Sequence, residues 1–147
     1  MDTKSSAVVA VAFAGALVAM QAPINGKLGS RMGTLQAASL SFAVGLVLLL
    51  ALVIVAGNVS QLGEARHLPW WYFLGGALGA VYVSTVLASV DRLGAGGVTA
   101  ATIAGQLSFS LVIDHYGWLG VDRQPINAAR AAGVVLLAVG VVLVVRD

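Results

Sequence analysis

The sequence contains no cysteine and few charges, and both shortages restrict what the chain can be. Without cysteine it forms no disulfide, no thiolate zinc site and no cysteine nucleophile. Charged residues make up 10% of the 147 residues, whereas about 25% is usual in a soluble domain. Because this number of charges cannot cover a water-facing surface, most of the surface is predicted to face lipid or protein.

Clustered charge and catalytic motifs are also missing. The net charge of +2 comes from dispersed residues, which excludes the basic face that nucleic acid requires. Hydrolase motifs, phosphate-binding loops and metal-ligand spacings do not occur. We therefore expect no enzyme, no cofactor, no metal site and no nucleic-acid partner.

Long apolar runs are what the sequence does contain. About 20 mostly apolar residues cross a hydrocarbon core of about 30 Å as a helix. Five segments meet this length, and none has the charged face of a soluble helix or the alternation of a membrane β-strand. The sequence predicts an all-α membrane protein, a single transmembrane domain over residues 1–147 built as a five-helix bundle. The predicted helices span residues 5–24, 34–57, 69–90, 96–115 and 126–145.

The ends of these segments have local causes. Pro23, followed by Asn25 and Gly26, predicts that the first helix ends near residue 24. The length of the first apolar run favours a membrane helix over a cleaved signal peptide. Pro69 suits the first turn of a helix, and the aromatic residues after it suit a membrane interface.

Small residues on the third segment predict close helix packing. Gly75, Gly76, Gly79 and Ala80 form two overlapping small-xxx-small patterns. These patterns are equally consistent with close helix packing within one chain and between two subunits.

Basic residues are divided evenly between the two sides that five spans would create. Four lie on each side: Lys4, Arg66, Arg123 and Arg130 against Lys27, Arg31, Arg92 and Arg146. Orientation normally follows an excess of Lys and Arg on the cytoplasmic side, and here there is no excess. Either orientation is set by other features, or copies insert both ways and pair as an antiparallel homodimer.

The fourth segment carries a polar stripe. Its members are spaced three or four residues apart, so they share one face of a helix: Thr99, Thr102, Gln106, Ser110 and Asp114. An amide near mid-membrane needs a hydrogen-bonding partner. Two interpretations compete, the wall of a substrate cavity and interhelical hydrogen bonding that only holds the bundle, and we favour the first.

Polar residues elsewhere add further candidates. Gln21 and Asn25 are four apart and share a face of the first helix, either as substrate ligands or as an ordinary polar helix end. Tyr82 makes the third helix moderately polar and is a candidate contact. Asp114 and His115 close the fourth helix, either as interfacial anchors or as groups that couple transport to protons or cations.

Four stretches of the sequence carry recognisable motifs, at residues 21–29, 39–45, 69–71 with 75–80, and 105–107 with 110–117. Together they resemble the signatures of the YdcZ-like family of the drug/metabolite transporter superfamily. The resemblance implies a multi-pass protein of the bacterial inner membrane, with residues of interest at Gln21, Asn25, Gln106 and Asp114. Related small multidrug resistance proteins use a glutamate inside the first helix. No acidic residue lies in the first segment here, which argues against that mechanism of cation export.

These observations predict a small secondary transporter of a small polar organic solute. The predicted site lies between helices 1 and 4 of a dimer, formed by Gln21, Asn25, Thr99, Thr102, Gln106 and Ser110, with Tyr82 nearby. The alternative is a membrane subunit with a structural or assembly role and no transport activity.

Overall fold

The protein is predominantly helical in the part that the structure, a computed structural model, describes, which is residues 2–146. No strand occurs in that part. The α-helices are α1 Thr3–Met32, α2 Thr34–Val55, α3 Leu74–Tyr116 and α4 Ala128–Val145. Short 3₁₀ segments lie between them at Val59–His67, Trp70–Phe73 and Trp118–Gly120.

Within residues 2–146, four helical stretches are long and apolar enough to cross a membrane. They are Thr3–Met32, Thr34–Val55, Trp70–Tyr116 and Ala128–Val145. Their outward side chains are mostly apolar, as lipid requires. The prediction of an all-α membrane protein is therefore confirmed.

Helix α1 does not end near Pro23, and that prediction was wrong. The helix continues to Met32 and stops where Gly33 adopts a φ of 96°, a conformation that favours glycine. Proline removes one backbone hydrogen bond, but the residues after it are buried: Asn25 and Gly26 both pack inside. Burial of this face, together with the need to satisfy backbone groups in lipid, keeps the helix intact.

Helix α3 contains an interruption where a link between two spans was predicted. Gly94 has φ 67° and ψ 168°, values outside the helical region, within the predicted link 91–95. The residues on either side of Gly94 are helical, so the third and fourth predicted spans form one helical stretch broken at this glycine.

The chain divides into two compact units. Gln21–Asp91 forms one, and the remaining residues form the other. The core of the unit Gln21–Asp91 lies between α2 and α3 and consists of Ala37, Ala38, Val83 and Leu87. These residues leave room for close approach because two of the four are alanines.

Within the same unit, α1 lies very close to α3. A Cβ added at Gly26 would come within 2.6 Å of Val90 Cγ1. In the other unit the end of α4 contacts α3 at another glycine, because a Cβ on Gly97 would lie 3.4 Å from Val145 Cγ2. Glycine at each position therefore sets the distance between two helices.

Candidate functional site

Asn25 is the one polar side chain that the protein buries among residues 2–146. It lies on α1, one turn after Gln21, and only 6% of it is exposed. Its Oδ1 accepts a hydrogen bond from Ser41 Oγ on α2 at 2.8 Å. A polar pair thus joins two apolar helices inside the unit 21–91.

The other end of the same amide has no partner. Asn25 Nδ2 is fully enclosed and donates to no group in the described residues. A buried donor without an acceptor is costly, roughly 1–3 kcal/mol. Most such groups in native proteins are satisfied, so this unpartnered donor distinguishes Asn25 from an ordinary structural amide.

A cavity adjoins this pair. Its volume is about 350 Å³, within the range of about 300–1,000 Å³ typical of small-molecule sites. Gln21 and Ser41 supply its polar groups. The apolar part of the lining consists of Phe42, Gly45, Leu46, Leu49 and Val83. A largely apolar pocket with a few polar groups suits a small organic molecule.

The surroundings of the cavity contain little negative charge. The sequence has no Asp or Glu between Asp2 and Glu64, while Lys27 and Arg31 lie near the end of α1. The described residues also contain no cluster of three His, Asp or Glu side chains that would hold a metal ion. The polar groups here are neutral amides and a hydroxyl.

The stripe on the second half of α3 is accessible in the single chain. Thr99 and Thr102 are half-buried, whereas Gln106 and Ser110 are exposed. The Ser110 hydroxyl donates to the carbonyl oxygen of Leu107, one turn back in the same helix. Gln106 therefore presents its amide on an outward face of an apolar helix.

Asp114 is paired with a basic residue. Arg130 Nη2 donates to Asp114 Oδ2 at 2.7 Å, and both side chains are a little over a quarter exposed. A second nitrogen of Arg130 donates to the carbonyl oxygen of Gln124. Asn127 caps α4 by accepting from the Arg130 backbone N–H at 2.9 Å.

His115 forms hydrogen bonds with the segment that connects α3 to α4. Its Nδ1 accepts from the Ile126 N–H at 3.2 Å, so the proton of the neutral ring is on Nε2 in this arrangement. Its carbonyl oxygen accepts from Arg123 Nε, and the Asp114 carbonyl accepts from the Gln124 N–H. The segment 121–127 is therefore folded back onto the end of α3.

Three of the predicted residues lie in the unit that holds the cavity. Gln21 lines the cavity, Asn25 is bonded to its wall, and Tyr82 packs against the helix core. The remaining predicted residues belong to the other unit: Thr99, Thr102, Gln106, Ser110, Asp114 and His115.

Ser41 was not predicted, although the sequence contains a signal for it. Small residues recur at spacings of three or four along α2, at Ala38, Ser41 and Gly45, in a helix otherwise rich in Leu and Val. Small residues mark the face where helices approach closely. Ser41 and Gly45 lie on that face and are both half-buried.

Comparison with known proteins gives one consistent result. A family model described as "Putative inner membrane exporter, YdcZ" matches residues 6–143. "Inner membrane protein YdcZ" of Escherichia coli (strain K12) is 30% identical over 108 residues, which cover 73% of this chain and 72% of that protein. No solved structure matches the chain. With its several apolar helices, the chain is a multi-pass inner membrane protein, and it belongs to the YdcZ family.

Proposed function

We propose that this protein is a small secondary transporter that moves a small polar organic solute across the inner membrane. Membership of the YdcZ family makes it a membrane transport protein in general terms. The observation that carries the finer proposal is the buried Asn25–Ser41 pair beside a cavity of about 350 Å³. An incompletely bonded amide in a membrane helix is expensive to maintain without a function.

The proposal includes five membrane crossings. Trp70–Tyr116 contains 47 residues, which at about 1.5 Å per residue extend for roughly 70 Å, more than twice the hydrocarbon thickness. The break at Gly94 divides this stretch into two segments of about membrane length. Each segment then crosses once, and the other three helices supply the remaining crossings.

The proposed active form is a homodimer. Gln106 is exposed in the single chain, and an amide facing lipid lacks the partners that it needs. Gly75 and Gly76 are also open, because a Cβ on either would meet nothing within 4 Å. A second copy would cover both features, and the even division of basic residues favours an antiparallel arrangement.

In this dimer we propose that the solute contacts Gln21 and Asn25 of one copy. The stripe of Thr99, Gln106 and its neighbours on the other copy would complete the hydrogen bonding. Repeats of inverted orientation around a central site are a common basis of alternating access.

Asp114 and His115 stay candidates for coupling, but their geometry supports anchoring better. The Asp114 carboxylate is bonded to Arg130, and His115 Nδ1 is bonded to a backbone N–H. A coupling role would require the carboxylate to leave Arg130 during each cycle.

Solute-induced currents on proteoliposomes test the proposed function. The protein is reconstituted and a panel of sugars, amino acids, carboxylates and amines is applied on a solid-supported membrane. We expect at least one solute to give a protein-dependent current that Asn25→Ala and Gln106→Ala reduce tenfold or more.

Ser108→Ala is the matched control, since this exposed hydroxyl donates only to the Ala104 carbonyl of its own helix. A panel that gives neither a protein-dependent current nor protein-dependent uptake of radiolabelled solute would favour the structural or assembly subunit. A current that Asn25→Ala leaves unchanged would remove Asn25 from the site.

A further inference from the structure

Among residues 2–146, no charged side chain lines the cavity. Its lining comes from three helices of one unit: Gln21 of α1, Val83 of α3 and five residues of α2. The polar side chains in this lining, Gln21 and Ser41, are both neutral. A charged ligand would leave water without meeting an opposite charge in the wall, and burying an unpaired ion is far costlier than burying a neutral polar group. The lining therefore favours an uncharged ligand.

Ser41 lines the cavity as a hydrogen-bond acceptor. Its hydroxyl hydrogen is donated to Asn25 Oδ1 at 2.8 Å, so the hydroxyl oxygen keeps free lone pairs but has no hydrogen left to donate. Asn25 is only 6% exposed and fixes this orientation of the hydroxyl from inside the unit. The group on a ligand that complements Ser41 is therefore a donor, an O–H or an N–H.

Gln21 supplies the second polar group of the cavity. Its side chain is exposed, and an amide in a membrane helix needs hydrogen-bonding partners. A primary amide both donates and accepts. A hydroxyl group on a ligand suits both residues, because its hydrogen can go to Ser41 while its oxygen accepts from Gln21. An ether oxygen can accept from Gln21 but has nothing to donate to Ser41.

The apolar part of the lining defines the body of the ligand. Phe42, Leu46, Leu49 and Val83 form this surface. The ring of Phe42 lies against α3 at Gly79, where an added Cβ would be 3.6 Å from Phe42 Cζ. An aromatic side chain held in this way favours an aromatic ring as its partner. The volume of about 350 Å³ is near the lower end of the range for small-molecule sites, so the body is compact.

We infer that this cavity binds a small uncharged amphipathic molecule with one hydroxyl group on an apolar, ring-bearing body. The hydroxyl donates to Ser41 Oγ and accepts from the Gln21 amide, and the body packs against Phe42 and the leucines of α2. The inference rests on the proposed function and narrows its solute to this class. Asn25 has a positioning role as well, since it fixes the Ser41 hydroxyl.

Four probes with the same phenyl ring test the inference. 2-Phenylethanol and benzyl methyl ether are isomers, of which only the alcohol can donate a hydrogen bond, while 2-phenylethylammonium and phenylacetate carry a positive and a negative charge. Binding of radiolabelled probes to the full chain in detergent is measured by equilibrium dialysis, and partition into protein-free micelles is subtracted. We expect 2-phenylethanol to bind at least tenfold more tightly than each of the other three.

Asn25→Leu tests whether Ser41 acts only as an acceptor. The variant releases the hydrogen of Ser41, which can then be donated to an ether oxygen. We expect the preference for 2-phenylethanol over benzyl methyl ether to fall from tenfold or more to less than threefold. A merely structural Asn25 would weaken both isomers equally, and an unchanged ratio in the folded variant would overturn the acceptor role of Ser41.

Gln21→Glu tests the second contact, because it introduces a carboxylate at a lining position with almost no change of size. We expect the affinity for 2-phenylethylammonium to rise at least tenfold and that for phenylacetate not to rise. Gln61→Glu is the matched control, since it adds the same charge at an exposed position in the 3₁₀ segment Val59–His67 and should change neither affinity. Unchanged binding of 2-phenylethylammonium to Gln21→Glu would remove Gln21 from the site and overturn the inference.

Gly45→Leu tests whether the probes occupy the cavity. A Cβ at Gly45 would meet nothing within 4 Å, so a larger side chain enters the open space of the cavity. 2-Phenylethanol should lose at least tenfold in affinity, while Ser108→Ala should change nothing. Circular dichroism and gel filtration show whether each variant is folded.

Other results separate this inference from the proposed function. Failure of 2-phenylethanol to bind, or equal or tighter binding of the ether or of either ion, would overturn the inference and would leave transport untouched. Transport itself is contradicted only if no solute of the wider panel gives a protein-dependent current or uptake, a result that does not depend on how the four probes bind.

Discussion

The two units of the protein differ in how a polar side chain is buried and hydrogen-bonded. In the unit 21–91, Asn25 is buried among apolar helices, is bonded on one side only and carries no charge. In the unit that contains residues 92–146, Asp114 is charged, partly exposed and bonded to Arg130. The comparison supports a structural role for the fully bonded Asp114–Arg130 pair, whereas the unfilled donor of Asn25 supports its place in the proposed site.

The largest effect is expected where the helices around Asn25 are closest. Gly26→Ala would place a Cβ 2.6 Å from Val90 Cγ1, and the short β-branched side chain of Val90 is itself buried. Overpacking of this kind costs about 1–3 kcal/mol. Thermal unfolding in detergent should show this loss.

Gly15→Ala is the control in the same helix, because its Cβ would meet nothing within 4 Å. Adding Val90→Ala to Gly26→Ala should restore part of the lost stability by removing the atom that clashes. If Gly26→Ala were as stable as Gly15→Ala, the close approach of α1 and α3 would be wrong.

The hydrogen bond between α1 and α2 gives the next largest effect. Ser41→Ala leaves both ends of a buried amide unbonded, and we expect a loss of about 1–2 kcal/mol. Asn25→Leu removes the polar group, so adding Ser41→Ala to that variant should change the stability very little. The coupling energy from this double-mutant cycle measures the pair, and strictly additive effects would show that the two side chains do not interact.

The ion pair should contribute less to stability. Asp114→Asn and Arg130→Gln are each expected to lower it by about 1 kcal/mol or less, since partly exposed pairs contribute little. The double variant should be no worse than either single change. Reconstituted Asp114→Asn protein should transport normally. Loss of proton-driven flux with the fold preserved would instead establish the coupling role and contradict a purely structural role for this ion pair.

The smallest effect is expected at the start of α1. Asp2 Oδ1 accepts from the Ser5 N–H at 2.8 Å, and its hydrogen bonds to Ser5 lower the pKa of this fully exposed carboxyl. A lowered folded pKa means that the stabilisation is complete above the ordinary pKa of aspartate and is lost as pH falls through the lowered value.

Hydrogen exchange of the first turn measures this contribution. Exchange, corrected for its intrinsic pH dependence, should become faster at acidic pH in the natural chain, while Asp2→Ala should show fast exchange at every pH. Equal protection of the two proteins at neutral pH would show that Asp2 does not cap the helix.

The sequence predicts the membrane class, the start of α2 at Thr34 and the neighbourhood of the Gly94 break, because long apolar runs and glycines act locally. It does not predict the continuation of α1 past Pro23, since that depends on the packing of Gly26 against Val90. Gln21 and Asn25 were predicted as site residues from their shared helix face, and that role stays a prediction. Ser41 was missed because its importance comes from a contact 16 residues away in the chain, and the pairing of Asp114 with Arg130 has the same origin.

The absence of acidic residues from positions 3–63 has an energetic consequence for transport. In the proposed transport cycle a neutral amide–hydroxyl pair carries no charge through the membrane, so this pair adds nothing to the charge of the solute and of any coupled ion. The membrane potential contributes about 2.3 kcal/mol per elementary charge for each 100 mV. When the interior is negative, that energy favours outward movement of a negatively charged solute in the proposed cycle, and inward movement of a positively charged one.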